Sequence, residues 1–289
     1  MFHSAFHHGG RIAILAGALA LTLSSGTGAL AQQAVPAAGD SQLTYADIAD
    51  LALPSPMVVV ATVKRMSKLD PERSGPVNPG YARVYVEAQT KSLLAGSSPV
   101  GAKLKYLADV KLTPKGRVPK LKGSEVVLFA RPVPGKTDEL QLVTPDAQVP
   151  SGDLDMVALR ALLAEKLSPD APPVVTGVRD ALHTPGNLAG EGETQIFLKT
   201  EDGSPASIAV VRSPGQAPAW GLSTGELVQI DARPPRPGTL EWYRLACALP
   251  GTLPAGAQLS SDPSLRQRAS ADYALVVQQL GPCARSRNI

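Results

Sequence analysis

The sequence has 289 residues, with 28 Lys and Arg against 25 Asp and Glu, and 44% of its residues are hydrophobic. This balance excludes a disordered polyelectrolyte and a bundle of membrane-spanning helices. The 26 Gly and 27 Pro exceed average usage, so we expect short elements joined by many turns. Only His183 among the histidines lies beyond the first eight residues, so we predict no histidine-cluster metal site and no cofactor.

The N-terminus has the layout of a secretory signal peptide. Arg11 precedes the uncharged apolar run 12–23, and Ala29-Leu30-Ala31 matches an A-x-A cleavage signature. The run is too short to span a bilayer comfortably, and no second long apolar run follows it. We therefore expect a periplasmic or secreted protein that begins near Gln32 and has no transmembrane segment after cleavage. The alternative is an uncleaved anchor helix.

Residues 44–149 are predicted to form a small β-barrel. A helix is expected to begin at Thr44, where Asp47 can reach back to the cap, and to end at Pro54. Five β-type segments follow, with a Pro-rich loop at 69–80 and a single helical turn at 91–96 between them: 57–63, 81–90, 103–108, 125–131 and 139–143. Five strands within about a hundred residues favour a closed or nearly closed barrel.

Several of these segments resemble exported modules of the netrin and tissue-inhibitor type. The matching patterns are V-V-V-A-x-V, V-x-V-E followed by L-L-x-G, V-G-x-x-L-x-Y and G-x-E-V-V-L-F, at 58–63, 84–96, 100–106 and 123–129. This resemblance covers about a third of the chain and implies an OB-like barrel. It does not imply protease inhibition, because the animal members carry disulfides and this half has no cysteine. The whole chain also resembles exported alphaproteobacterial proteins, which implies no chemistry.

The second half is predicted to be an antiparallel sheet covered by C-terminal helices. Asp202-Gly203 between two β-type runs predicts a hairpin, because both turn positions favour positive φ. The other expected elements are a linker helix at 153–167, strands at 174–178, 194–200, 207–212 and 219–222, a Gly-rich loop at 185–192, and helices at 224–231, 239–248 and 263–280. The predicted fold class is therefore α+β. The predicted domains are a signal peptide (1–31), a flexible leader (32–43), an OB-like barrel (44–149), a linker helix with a Pro-rich junction (150–173) and an α+β domain (174–289).

The two cysteines, Cys247 and Cys283, both lie near the C-terminus. In an oxidising compartment such a pair favours one disulfide, which would join the last helix to an earlier one. The alternative is a buried Cys247 and an unpaired Cys283.

The candidate catalytic residues are His183, Glu191 and Glu193, in and beside the Gly-rich loop. A histidine can act as a general base, and paired carboxylates can serve acid–base chemistry or bind a cation. A lone histidine is more often structural, and carboxylates on such a loop are more often solvated. Ser223 lies in a G-x-S-x-G pattern, but no histidine follows it, so we interpret Ser223 and Glu226 as a helix capping box.

The candidate binding surface is basic. From Thr44 to Val149 the chain has 15 Lys and Arg against 10 Asp and Glu, and no acid lies between Asp109 and Glu125. This basic stretch, beside a strand face, can attract an anionic partner, and OB-like barrels often bind ligands on such faces. The residues predicted to bind are Tyr81, Arg83, Tyr85, Lys115, Arg117, Lys120 and Lys122. Aromatic residues are scarce, so a nucleic-acid partner is not expected.

These observations predict a non-enzymatic binding or interaction protein exported to the bacterial periplasm. Its expected partner is an envelope protein or an anionic glycan. The alternative is an envelope hydrolase that uses His183 with nearby carboxylates, namely Asp180, Glu191 or Glu193. That alternative requires these side chains to converge in one cleft.

Overall fold

The computed structural model describes residues 42–225 and 233–287. The predicted signal peptide and nearly all of the predicted leader lie outside these residues, and so does most of the helix predicted at 224–231. The described residues have the expected α+β fold class, with a closed barrel, a separate antiparallel sheet and C-terminal helices.

Five strands close the barrel in the order β1-β2-β3-β5-β4-β1, which confirms the predicted OB-like barrel. They are β1 (Met57–Lys68), β2 (Tyr81–Ala95), β3 (Lys103–Lys111), β4 (Glu125–Val133) and β5 (Lys136–Leu142). Strand β1 closes the ring because it pairs with both β2 and β4. All neighbours are antiparallel except β3 and β5. A short strand, β6 (Gln148–Pro150), adds to β4.

Strand β2 extends beyond the alternating segment 81–90 from which it was predicted. It continues through Ser92, Leu93 and Ala95, which pair with β1, so the prediction of a helical turn at 91–96 is wrong. Shifts of register between the two strands mark β-bulges, which let a long pair bend around a small barrel. Pairing with β1 therefore outweighs the local helix preference of leucine and alanine.

Helices cover the barrel and contribute to its core. Helix α1 (Tyr45–Ala52) has the predicted capping box, with Thr44 and Asp47 bonded to each other. A single-turn helix, α2 (Pro71–Ser74), lies in the predicted loop, and α3 (Met156–Leu167) follows a 3₁₀ turn at Ser151–Asp153. Helices α1 and α3 contact each other, and buried residues of both pack into the barrel core.

The second sheet has the order β10-β9-β8-β7, so consecutive strands are hydrogen-bonded neighbours. Its strands are β7 (Val175–Pro185), β8 (Gly192–Thr200), β9 (Ser207–Arg212) and β10 (Ala219–Ser223). The hairpin at Asp202-Gly203 is confirmed, and Gly203 has φ +77°. Strand β7 extends beyond the predicted segment 174–178 and includes His183.

Two helices complete the second half. They are α4 (Leu240–Ala246) and α5 (Pro263–Leu280), and α5 has the predicted bounds, with Asp262 as its N-cap. Helix α5 packs on β7 and β8. Helix α4 contributes to both cores, because Leu240 lies in the barrel core while Trp242 and Leu245 lie in the core of the second sheet. In the described ranges, no helix is long and apolar enough to cross a membrane.

The predicted disulfide is confirmed. Cys247 and Cys283 are bonded, with their Cα atoms 5.1 Å apart. The bond joins the end of α4 to the segment that follows α5. That segment, residues 281–287, is called the tail below. It leaves the disulfide and returns to the barrel.

Candidate functional site

The connection from β3 to β4 carries a cluster of unpaired cations. We call residues 111–122 the basic loop. The side chain of Thr113 accepts a hydrogen bond from the backbone N–H of Arg117, which stabilises the turn at the tip of the loop. All five cations of the loop are exposed, and none forms an ion pair with a described residue: Lys111, Lys115, Arg117, Lys120 and Lys122. The loop therefore presents concentrated positive charge to an approaching anion.

Arg83, on the predicted strand face, is already neutralised. Its Nε and Nη2 atoms donate to the two carboxylate oxygens of Asp109, at 2.7 and 2.9 Å. Its Nη1 donates to the carbonyl oxygen of Ser74 at 2.5 Å. These bonds hold the loop 69–80 against β2 and β3, and every guanidinium nitrogen of Arg83 already donates to the protein itself.

A cavity of about 510 Å³, called the barrel cavity below, lies beside the basic loop. Its lining includes Tyr81 and Lys111, Pro119 and Leu121 of the basic loop, and Ser286 and Arg287 of the tail. The volume lies within the range of roughly 300–1,000 Å³ that small-ligand pockets occupy.

Two further cavities, of about 510 and 210 Å³, lie around the loop 69–80. Tyr81 lines all three, whereas Tyr85 lines none of them. The remaining predicted cations are close in sequence to Pro119 and Leu121, which line the barrel cavity, but do not line it themselves: Lys115, Arg117, Lys120 and Lys122.

The acids of the barrel cavity are largely neutralised by arginines. Asp109 is paired with Arg83, and Asp146 accepts a hydrogen bond from Arg287 Nη2 at 2.6 Å. Burial alone would raise the pKa of Asp146, but its hydrogen bonds with Arg287 and Thr144 lower it. Both carboxylates are paired with an arginine, so they repel an incoming anion only weakly.

The tail is held by carboxylates of helix α1. Asp47 accepts hydrogen bonds from the backbone and hydroxyl of Ser286, at 2.9 and 2.6 Å, and from the backbone of Arg287 at 3.1 Å. Arg285 pairs with Asp50 at 2.6 Å. Sequence reasoning missed this arrangement. Its only signal is two acids on a short helix and two arginines after Cys283, which nothing in the sequence links.

His183 lies in a buried network of the second sheet. Its Nδ1 is 2.8 Å from Thr194 Oγ1, which in turn donates to Asp272 Oδ2 at 2.5 Å. Because the single hydroxyl proton of Thr194 goes to Asp272, His183 must donate from Nδ1. Asp272 is fully buried and also accepts from Arg212 Nε at 2.6 Å. The network therefore links three strands to helix α5.

The surroundings of His183 favour its neutral form. Burial lowers the pKa of His183, and Arg268 and Arg212 lower it further, while Asp272 opposes them. Its other nitrogen, Nε2, packs against Gly192, where an added Cβ would lie 2.9 Å from it. The side chain is only 6% exposed, and none of the three cavities described above is lined by it.

The predicted carboxylate partners of His183 have other roles. Glu191 accepts hydrogen bonds from the backbone N–H groups of Asn187 and Leu188, both at 3.0 Å, and so closes the Gly-rich loop. Glu193 accepts from Gln195, its neighbour on the same strand. Asp180 pairs with Arg179 at 2.9 Å. None of these carboxylates joins the His183 network.

The carboxylate that does join the network, Asp272, was missed by sequence reasoning. It lies on the buried side of α5 with Ala269, Tyr273 and Val276. A charged residue within an apolar helix stripe is the signal that could have identified it.

The G-x-S-x-G segment, residues 221–225, lies within the described residues. Ser223 is buried at the end of β10, opposite Ser207. Glu226, its proposed capping partner, lies outside the described residues. The described part of the chain also contains no group of three or more His, Cys, Asp or Glu side chains that could hold a metal ion.

No protein-family model matches the chain, and no curated protein shows significant similarity to it. Its function must therefore be inferred from the barrel cavity, the basic loop and the His183 network themselves.

Proposed function

We propose that the protein is a non-enzymatic binding protein, exported to the bacterial periplasm, whose barrel binds an anionic glycan. The basic loop is the observation that carries this proposal. It places five exposed cations without ion-pair partners among the described residues on a stretch of chain that also lines a cavity. Such a surface concentrates polyanions near the cavity, where individual groups can be bound.

A glycan fits this surface better than an envelope protein does. The cores of protein–protein interfaces are depleted in lysine and enriched in aromatic residues. The basic loop has the opposite composition, with three lysines and one arginine between Thr113 and Gly123 and no aromatic residue. A flexible acidic polymer can pair with several such cations while one of its units enters the adjacent cavity.

The buried network at His183 supports a non-enzymatic role. A general base must reach the proton that it abstracts, directly or through one water molecule. His183 instead donates from Nδ1 to Thr194 and packs its Nε2 against Gly192. The carboxylates that a hydrolase would use, Glu191 and Glu193, are bonded to their own local partners.

The test compares binding of polygalacturonate by two variants with equal charge. The loop variant is K115Q/R117Q/K120Q/K122Q, and the control variant is R131Q/R160Q/K199Q/R266Q, whose exposed cations lie elsewhere. We expect the loop variant to bind about tenfold or more weakly and with a shallower salt dependence, because fewer counterions are released. The control variant should bind nearly as the wild type does.

The measurement is isothermal titration calorimetry at several salt concentrations. The protein is purified from the periplasmic fraction, where its N-terminal sequence is expected to begin near Gln32. Equal losses in both variants, or no binding by the wild type, would contradict the proposal. If the protein captures an envelope protein and itself has no affinity for polygalacturonate, the result would favour an envelope protein as the partner.

A further inference from the structure

Arg287 has a buried hydrogen-bond donor that nothing in the described chain satisfies. Its side chain is only 10% exposed, and its Nη2 donates to Asp146. Its Nη1 is buried and has no hydrogen-bond partner among the described residues. Leaving a donor of a charged group unsatisfied in a protein interior is costly, and native structures rarely do so. Arg287 also lines the barrel cavity, so an acceptor bound there would satisfy this donor once the guanidinium turns towards it.

The rest of the cavity lining fits a sugar ring. Tyr81 supplies an aromatic surface, and Pro119, Leu121 and Val149 supply apolar ones. Aromatic and apolar surfaces of this kind pack against the C–H faces of a pyranose, while polar groups bind its hydroxyls.

The polar groups of the lining include both donors and acceptors. Gln148 and Ser286 can bond to hydroxyl groups, and Lys111 is a second cation in the lining besides Arg287. Asp153 is a lining acid without a basic partner among the described residues, so it can accept hydrogen bonds from sugar hydroxyls. A ligand that matches this set has hydroxyl groups and one carboxylate.

We propose that the barrel cavity binds a single uronic acid unit, whose carboxylate accepts a hydrogen bond from Arg287 Nη1. This inference rests on the proposed function, because the unit belongs to the anionic glycan whose neighbouring units pair with the basic loop. The two parts of the site then have different roles. The basic loop supplies charge-dependent affinity for the polymer, and the cavity distinguishes a carboxylate from a neutral sugar.

The test titrates the purified protein with galacturonate and with its neutral methyl ester, followed by NMR. We expect the wild type to prefer galacturonate by about tenfold or more, since a charge-assisted hydrogen bond is lost with the ester. The variant R287Q should lose this preference. The variant R285Q should keep it, because Arg285 lies in the same tail but pairs with Asp50 and does not line the cavity.

The result that counts is the ratio of the affinities for galacturonate and for its methyl ester. Partial unfolding of a less stable variant weakens both affinities alike, so the ratio remains valid. Equal binding of acid and ester by the wild type, or an unchanged preference in R287Q, would overturn the inference. So would the absence of any binding of galacturonate by the wild type. The loop variant separates the two proposals. It should keep the wild type's preference for galacturonate over the ester, and if it also binds polygalacturonate normally, the proposed function fails while the cavity site remains.

Discussion

Asp47 is a buried carboxylate whose charge is stabilised by groups from both ends of the described chain. Thr44 precedes it in the capping box, and Ser286 and Arg287 reach it from the tail. Burial alone would raise the pKa of Asp47, but the hydrogen bonds from Ser286, Arg287 and Thr44 outweigh it and lower the pKa to about 2. The pKa of Asp47 is lower in the folded protein than in the unfolded chain, so ionisation of this carboxylate stabilises the fold. The stabilisation is present at every pH at which Asp47 is charged.

We expect Asp47→Asn to lower the free energy of unfolding at pH 7 by about 2 kcal/mol. The stabilisation is fully present above the unfolded pKa of about 4 and is lost as the pH falls towards about 2. The difference between variant and wild type should therefore shrink across this range. Urea unfolding at pH 7, 4 and 3 measures it, with Asp70→Asn, an exposed cap of α2, as the control. A difference that does not change with pH would show that the charge of Asp47 is not responsible.

Single residues could be predicted where their partners are close in sequence. The bond between Thr44 and Asp47 spans three positions and follows from the capping pattern. The bonds from Ser286 to Asp47 span 239 positions, and no local pattern indicates them. His183 shows the same limit, since its isolation in the sequence suggested a structural role but not its connection to Asp272.

At the scale of elements, helix α5 is joined to the second sheet by a charged network within the core. Asp272 bonds to Thr194 on β8 and to Arg212 on β9. A buried carboxylate in an otherwise apolar helix stripe must be fully paired, or its burial would oppose folding. The network therefore fixes the position of α5 along the sheet.

We expect Asp272→Asn to destabilise the protein by about 3 kcal/mol, because it leaves Arg212 without its counter-charge in a largely buried site. The control is Asp180→Asn, which breaks a more exposed ion pair on β7 and should cost less than about 1 kcal/mol. Chemical unfolding of both variants provides the comparison. Similar small losses in the two would mean that the buried network contributes little to stability.

Elements were predicted well where local signals mark both ends. Helix α5 begins at Asp262-Pro263 and ends at Gly281, which has φ +73°. The segment 91–95 was predicted wrongly, because its leucines and alanine favour a helix locally while its partners lie on β1. Long-range pairing decides such segments, and a single sequence does not show it.

At the scale of the whole molecule, the disulfide joins the end of α4 to the tail. Its closed loop spans 36 positions. In the chain-entropy model, a loop of this length stabilises the folded state by about 4 kcal/mol.

The barrel and the second sheet could be predicted from strand patterns. The role of helix α4, which contributes to both cores and so connects them, could not be predicted from the sequence.

Reduction of the disulfide is expected to lower the free energy of unfolding by about 4 kcal/mol and to make the tail more sensitive to protease. Urea unfolding with and without reductant measures the first effect, and limited proteolysis followed by mass spectrometry measures the second. The variant C247A/C283A should match the reduced protein and should not respond to reductant. Cleavage of the tail at equal rates in both redox states would contradict the expected link between the bond and the tail.

The bonds between the tail and Asp47 also impose an order of assembly. A ribosome makes Asp47 first and Arg287 240 positions later, so the carboxylate of α1 lacks most of its donors until almost all of the described chain exists. Contacts this far apart in sequence close late and slowly, because the intervening chain must be ordered first. The barrel cavity gains the wall that contains Arg287 in that same step. A chain interrupted before residue 286 would therefore build a barrel in which Asp47 keeps only its bonds from Thr44 and the cavity lacks one wall, so the shape of the barrel cavity depends on the last residues of the described chain.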